Sequence, residues 1–248
     1  MKHLITRCLG TLLPLMASLM TGGAHAATFT VSNTTDASGG SFRQAIIDIN
    51  FVVPSGPHNI TFNIPASDPN CGAVTGVCTI SLLSALPAVR NSVVIDGYTQ
   101  AGATANTNPP NLGTNASLRV EISALATVGT SISLGVSGGA VRGLILNRRL
   151  GIDLGGTGGH TVEGNFIGTN ADGSAGFADG GNGVAVVTNS HNNMIGGTTP
   201  AARNLISGKG TGILISSSST PILGTQIVGN QNRRAGRRNQ DAGALARN

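Results

Sequence analysis

The chain has 248 residues, enough for one sizeable domain, and its 37 Gly, single Tyr and lack of Trp describe a turn-rich molecule. A hydrophobic share of 40% argues against a disordered chain, and its gathering into β-branched runs favours β structure. The formal charge of +5 belongs to the two ends: residues 27–230 hold eight Lys or Arg against nine Asp or Glu, a net of −1, so the high pI does not describe a nucleic-acid-binding face.

Residues 1–26 read as an export signal. Lys2 and Arg7 form the positive end, Cys8 to Met20 the apolar middle, and Ala24-His25-Ala26 the small-x-small cleavage site. The apolar run is too short for a permanent anchor. Cys8 lacks the preceding Leu-x-x context of a lipid-anchored cysteine. The expectation is an exported chain, secreted, cell-surface or periplasmic, with no transmembrane segment in its mature part.

Residues 27–90 are expected to form an N-terminal cap region. Thr28-Phe29-Thr30-Val31 alternates as a strand does, and a polar turn covers 33–40. Ser41 and Gln44 have capping-box spacing, and Phe42, Ala45, Ile46 and Ile49 fall on one helical face, which predicts a helix over about 42–50. Such a helix is a physical answer to an exposed sheet end. Arg43 is read as part of that cover. Cys71 and Cys78 are the only cysteines after processing, and an even pair in an exported chain reads as a disulfide. A metal there would need two more ligands, and His58 stands alone.

Residues 91–230 carry a repeat. After the apolar run Val93-Val94-Ile95-Asp96-Gly97 and a loop over 99–117, strands return at Leu118 to Ile122 and Val141 to Leu146. Three phrases then recur: Gly151-Ile152-Asp153-Leu154, Gly183-Val184-Ala185-Val186 and Gly212-Ile213-Leu214-Ile215. A second track reads Asn165-Phe166-Ile167-Gly168, Asn204-Leu205-Ile206-Ser207 and Gln226-Ile227-Val228-Gly229, and a third Met194-Ile195-Gly196 and Ile222-Leu223-Gly224. Several short strands per unit of about 20 to 30 residues describe a solenoid whose units bury their apolar faces against their neighbours. In this reading Ile152, Val184, Val186, Ile213 and Ile215 point inwards.

The phrases Gly164 to Thr169, Ile195 to Thr199 and Arg203 to Gly208, with the helix Ser41-Phe42-Arg43-Gln44-Ala45-Ile46 at the start, resemble those of bacterial right-handed parallel β-helix repeat proteins. The resemblance implies an all-β fold, a right-handed parallel β-helix with a short N-terminal capping helix. It does not select an activity, because that fold carries lyases, hydrolases, adhesins and phage spikes.

Residues able to carry chemistry are sparse. Polysaccharide-cleaving enzymes of this kind need paired carboxylates, or a Ca²⁺ site of carboxylates with an Arg base. Asp153 should face outwards between Ile152 and Leu154, and with Arg142 and Glu163 it makes the best catalytic trio, set against three solvated polar residues on successive units. Asp172 and Asp179 flank a loop with some calcium-site character, set against ordinary Asp-Gly turn chemistry. Asn147, Asn165, Asn204 and Asn230 are read as structural amides at strand ends, and His160 and His191 as loop residues. Two functions stay open: a non-catalytic exported scaffold contacting polysaccharide or a cell-surface protein, and a carbohydrate-active lyase or hydrolase, or a fragment of one.

Residues 231–248 read as a basic irregular tail. The phrase begun at Gly229-Asn230 breaks off into Gln231-Asn232-Arg233-Arg234, and codon degeneracy permits a one-nucleotide shift that restores it. The expectation is a truncated version of a longer chain.

Overall fold

The computed structural model describes residues 26–52, 56–124, 129–178, 180–187, 189–217, 221–233 and 240–241. The segment expected to be an export signal, apart from Ala26, lies outside the described residues, as does most of the basic tail.

The elements are short. In chain order they are β1 (Thr28–Val31), α1 (Phe42–Phe51), β2 (His58–Phe62), β3 (Cys78–Leu82), β4 (Val93–Asp96), β5 (Val120–Ala124), β6 (Thr130–Leu134), β7 (Ala140–Arg142), β8 (Leu144–Asn147) and β9 (Leu150–Leu154). There follow β10 (Thr161–Glu163), β11 (Phe166–Ile167), β12 (Asn182–Val186), β13 (Met194–Gly196), β14 (Leu205–Ser207), β15 (Thr211–Ile215), β16 (Gln226–Val228), β17 (Gln231–Arg233) and β18 (Gln240–Asp241). Three single 3₁₀ turns, over Gly97–Thr99, Pro110–Leu112 and Pro200–Ala202, complete the described set.

The strands form three sheets. The first runs β1-β2-β4-β7-β10-β13-β16, the second β3-β5-β8-β11-β14-β17-β18 and the third β6-β9-β12-β15. From β4 to β17 successive strands fall to the first, second and third sheet in rotation. Every strand pairing is parallel except β17 with β18.

The expected right-handed parallel β-helix is corrected by this arrangement. The three sheets are open, none closes or curls on itself, and the architecture is a parallel-strand fold. Like residues at a fixed interval dictate that like strands stack in parallel register. They do not dictate that the sheets close into uniform turns. The third sheet has four strands where the others have seven, and β17 takes an antiparallel neighbour.

Register is where the repeat acts. Ile132, Ile152, Val184 and Ile213 are neighbours across the third sheet, as are Leu134, Leu154, Val186 and Ile215. The period of two along each strand sends these residues to one face, and Ile152, Leu154, Val184 and Val186 are fully buried. The row keeps its face at its last member but loses cover there: Ile213 is half-buried against the core and Ile215 is 45% exposed. No described strand lies beyond β15 to cover them.

The repeat tracks are also reassigned. Gln226-Ile227-Val228 pairs with Met194-Ile195-Gly196 in the first sheet, and the strand that continues Leu205-Ile206-Ser207 is Gln231-Asn232-Arg233. An apolar pattern could not find a polar strand. Residues 231–233, placed in the irregular tail by the sequence, therefore extend the second sheet.

α1 follows its sequence closely. Ser41 is extended, and its Oγ accepts from the Gln44 amide at 3.1 Å. The Gln44 side chain donates to Asp48 at 2.7 Å, so only the Ser half of the capping box forms. Phe42, Ala45, Ile46 and Ile49 are buried in the main core, with Phe42 stacked on Phe62 at 5.9 Å between ring centres. Arg43 is structural: it pairs with Asp36 at 2.7 Å and donates to the Ser84 and Ala85 carbonyls. Cys71 and Cys78 are joined in a disulfide. Among the described residues, no helix is long and apolar enough to cross a membrane.

Candidate functional site

The polar groups of the fold gather at three places, set by strand register. On the outer face of the first sheet, Asp96 ends β4, Arg142 ends β7 and Glu163 ends β10, and the three are register neighbours. Arg142 donates to Asp96 at 2.8 Å and lies 3.7 Å from Glu163. Each is followed by a glycine, Gly97, Gly143 and Gly164. Gly143 and Gly164 have φ of +69° and +64°, and a Cβ at Gly143 would stand 2.8 Å from the Tyr98 ring. That gap lets Tyr98 lie across the ladder and donate its hydroxyl to the Gly164 carbonyl at 3.0 Å.

The electrostatics of this ladder are self-contained. The hydrogen bond that Arg142 donates to Asp96, with Glu163 near by, raises the Arg142 pKa above its ordinary value. A guanidinium held between two carboxylates keeps its proton, so Arg142 is poorly suited to act as the base of a lyase. Burial, reinforced by Glu163 and Asp96, pushes the Tyr98 phenol up to about 12, which leaves it a neutral donor near pH 7.

Asp153 is elsewhere. It projects outwards from β9 in the third sheet, as its neighbours Ile152 and Leu154 dictate, and accepts a hydrogen bond from Ser131. The expected trio is therefore corrected: Arg142 and Glu163 share a face with Asp96, while Asp153 belongs to another sheet. Asp153 lines an open groove of about 240 Å³ with Thr130, Ser131, Arg149 and Asn182. The groove wall is mixed in character, with hydroxyls, an amide, a carboxylate and a guanidinium.

The third place lies over the second sheet. Glu121 accepts from Thr79 at 2.7 Å and from Asn147, beside a groove of about 300 Å³ bordered by Cys71 and Thr75. Asn147 thus serves Glu121 and stands apart from the amide ladder expected of it. The other three amides do stack. Asn165 accepts from the Leu144 amide at 3.0 Å, Asn204 accepts from the Asn165 amide at 3.0 Å, and Asn204 donates to Asn230 at 2.8 Å.

The loop candidates for calcium do not assemble a site. Asp172 accepts from the Ser174 amide at 2.8 Å, and hydrogen bonding from the Ser174 side chain and amide lowers its pKa. Asp179 lies outside the described residues. Among the described residues no three His, Cys, Asp or Glu are grouped to hold a metal ion. His160 lies in the loop before β10, as expected, but is buried there: it is 1% exposed, accepts from the Gly139 amide at 3.1 Å and reaches the Gly155 carbonyl at 2.9 Å.

No family model, curated protein or solved structure matches the chain. The functional reading therefore stands on its residues.

The sequence reading left Asp96 and Tyr98 out of its candidate site, although a signal was there. Ile95-Asp96-Gly97, Val141-Arg142-Gly143 and Val162-Glu163-Gly164 are one phrase, an apolar residue, a charge and a glycine, and the charges stack because the phrase repeats.

Proposed function

We propose that the chain is an exported, non-catalytic contact protein that holds polysaccharide on the outer face of its third sheet. The observation that carries this is the groove at Asp153, where Thr130, Ser131, Arg149 and Asn182 set donors and acceptors along an open, shallow wall. Sugar hydroxyls are recognised by such mixed groups, and a shallow groove suits a long chain running across it. The disulfide supports export, because such bridges persist in oxidising compartments.

A contact role is also supported by how the charges are spent. Asp153 is bound by Ser131, and Arg142 is neutralised by Asp96 and Glu163, so neither offers the paired, unequal carboxylates of a hydrolase. With no Trp in the chain and Tyr98 committed to Gly164, stacking on sugar rings contributes little. Affinity for one glycan segment should accordingly be modest.

Affinity electrophoresis through gels cast with neutral and acidic polysaccharides tests this. Retardation by at least one polymer is expected, and Asp153→Asn should weaken it by about 1.5–3 kcal/mol, the usual worth of a hydrogen bond to a charged group. Failure of every polymer to retard the protein would sink the glycan reading. Release of reducing or unsaturated sugars above background would sink its non-catalytic half and favour the enzyme alternative.

A further inference from the structure

The late edge of the third sheet is a free strand edge among the described residues. Strand β15 reads Thr211-Gly212-Ile213-Leu214-Ile215 and pairs on one side with β12. Among the described residues no strand pairs with its other side. Native proteins blunt a free edge with a charge, a proline, a bulge or a covering segment. β15 itself carries no charged residue and no proline. Its inner-face residues Ile213 and Ile215 are half-buried and 45% exposed, where their register neighbours Val184 and Val186 are fully buried.

The opposite edges are closed. α1 packs on β1 and β2. Asn70 and Cys71 lie against β3, with the Thr79 amide donating to the Asn70 carbonyl at 3.0 Å and the Cys71–Cys78 bridge holding them there. Val89 lies against β6, exchanging backbone hydrogen bonds with Ser133 and Gly135 at 2.8 and 2.9 Å. A head-to-tail filament needs both ends open, and one is shut.

We propose that the partner of β15 is β15 of a second copy, in antiparallel register about a two-fold axis through Ile213. Strand β15 is complementary to itself under that operation. Ile213 meets its own symmetry mate, and Thr211 stands opposite Ile215 on each side of the axis. An axis perpendicular to the sheet keeps all six of these side chains on one face, so the exposed apolar edge of each copy covers the other. Three of the five residues are β-branched, the class that packs best in cross-strand pairs. The second sheet already accepts an antiparallel strand on its late side, where β18 pairs with β17. The contact is isologous and closes at two copies, giving one eight-stranded third sheet across the pair.

Sedimentation equilibrium on the full exported chain tests this through charge and register together. The wild type should show twice the monomer mass at tens of micromolar and dissociate on dilution. Thr211→Glu/Ile215→Glu sets carboxylate against carboxylate at both cross-strand positions and should weaken the dimer at least tenfold. Both sites are exposed, so the far-UV circular dichroism should not change. Thr211→Lys/Ile215→Glu sets opposite charges there and should restore association relative to the double Glu variant. A wild type that stays monomeric or forms an open series of larger species overturns the proposal. So does a double Glu variant that still dimerises, or a Lys/Glu variant that does not recover.

Discussion

The two edges of the stacked sheets are made of the same kind of strand and end in opposite ways. At the early edge the chain supplies three covers: α1 over β1 and β2, a disulfide-tied turn beside β3, and the stretch from Ser84 to Asn91 beside β6. These covers are tied to one another, since Arg43 and Asn50 of α1 donate to the Ser84, Ala85 and Ala88 carbonyls, and Asn91 donates to the Ile49 carbonyl at 2.6 Å. At the late edge β15 and β16 have no described neighbour beyond them. The difference shows that parallel stacking does not finish itself. Each strand added buries the one before and exposes its own edge, and only a segment of different sequence ends the series.

The largest expected effect is at the closed edge. Ile46 is fully buried in α1, and Ile46→Asp places a charge in a dry core with no partner, at a cost of several kcal/mol. The variant should fail to fold or lose most of its stability in urea titration. Ile215→Asp, in an equivalent apolar position at the open edge, should cost below about 1 kcal/mol at a concentration where the chain is monomeric. Equal costs would show that the late edge is covered in solution.

The next effect follows the amide stack from the interior to that edge. Asn204 is fully buried between Asn165 and Asn230, and its amide also donates to the Val162 carbonyl at 2.8 Å. Asn204→Ala removes the acceptor of the buried Asn165 amide and one donor to the Val162 carbonyl, and should cost about 2–4 kcal/mol. Asn230 is 6% exposed and donates to the Ile195 carbonyl at 2.7 Å. Asn230→Ala should cost less, about 1 kcal/mol, because water reaches the late side. Thermal melts of the two variants, measured side by side, decide whether the gradient exists.

How much of this was legible in the sequence depended on which residues carried the signal. α1 could be read from Ser41 and its apolar face, and the bridge from an even pair of cysteines, because both are local. The register of Ile152, Val184 and Ile213 could be read because those phrases repeat. What could not be read was the manner in which sheets end or fail to close, since neither belongs to the repeating unit. β17 was missed because Gln231-Asn232-Arg233 pairs through its backbone, to which an apolar pattern is blind. Asp153 was grouped with Arg142 and Glu163 because an outward-facing residue was assigned without saying from which sheet it faces outwards. Only the rotation of strands among three sheets separates them.

The smallest effect concerns protons in the interior, away from both edges. Burial lowers the His160 pKa below its usual value of about 6.5. The ring's contacts fix its tautomer: one ring nitrogen accepts from the Gly139 amide, so the neutral ring carries its proton on the nitrogen facing the Gly155 carbonyl. Protonation would turn a donor towards a donor. The folded chain therefore binds this proton less readily than the unfolded chain does. The stability tied to neutral His160 is fully present above pH ~6.5 and is lost as pH falls below it, towards the folded value. For one proton the slope cannot exceed about 1.4 kcal/mol per pH unit. His160→Gln, which keeps an acceptor and a donor but does not titrate, should lower stability near pH 7.5 and flatten the slope between pH 6.5 and 5. Denaturation curves at half-unit steps check it: an acid slope of unchanged steepness in the Gln variant would place the sensitive proton on another group.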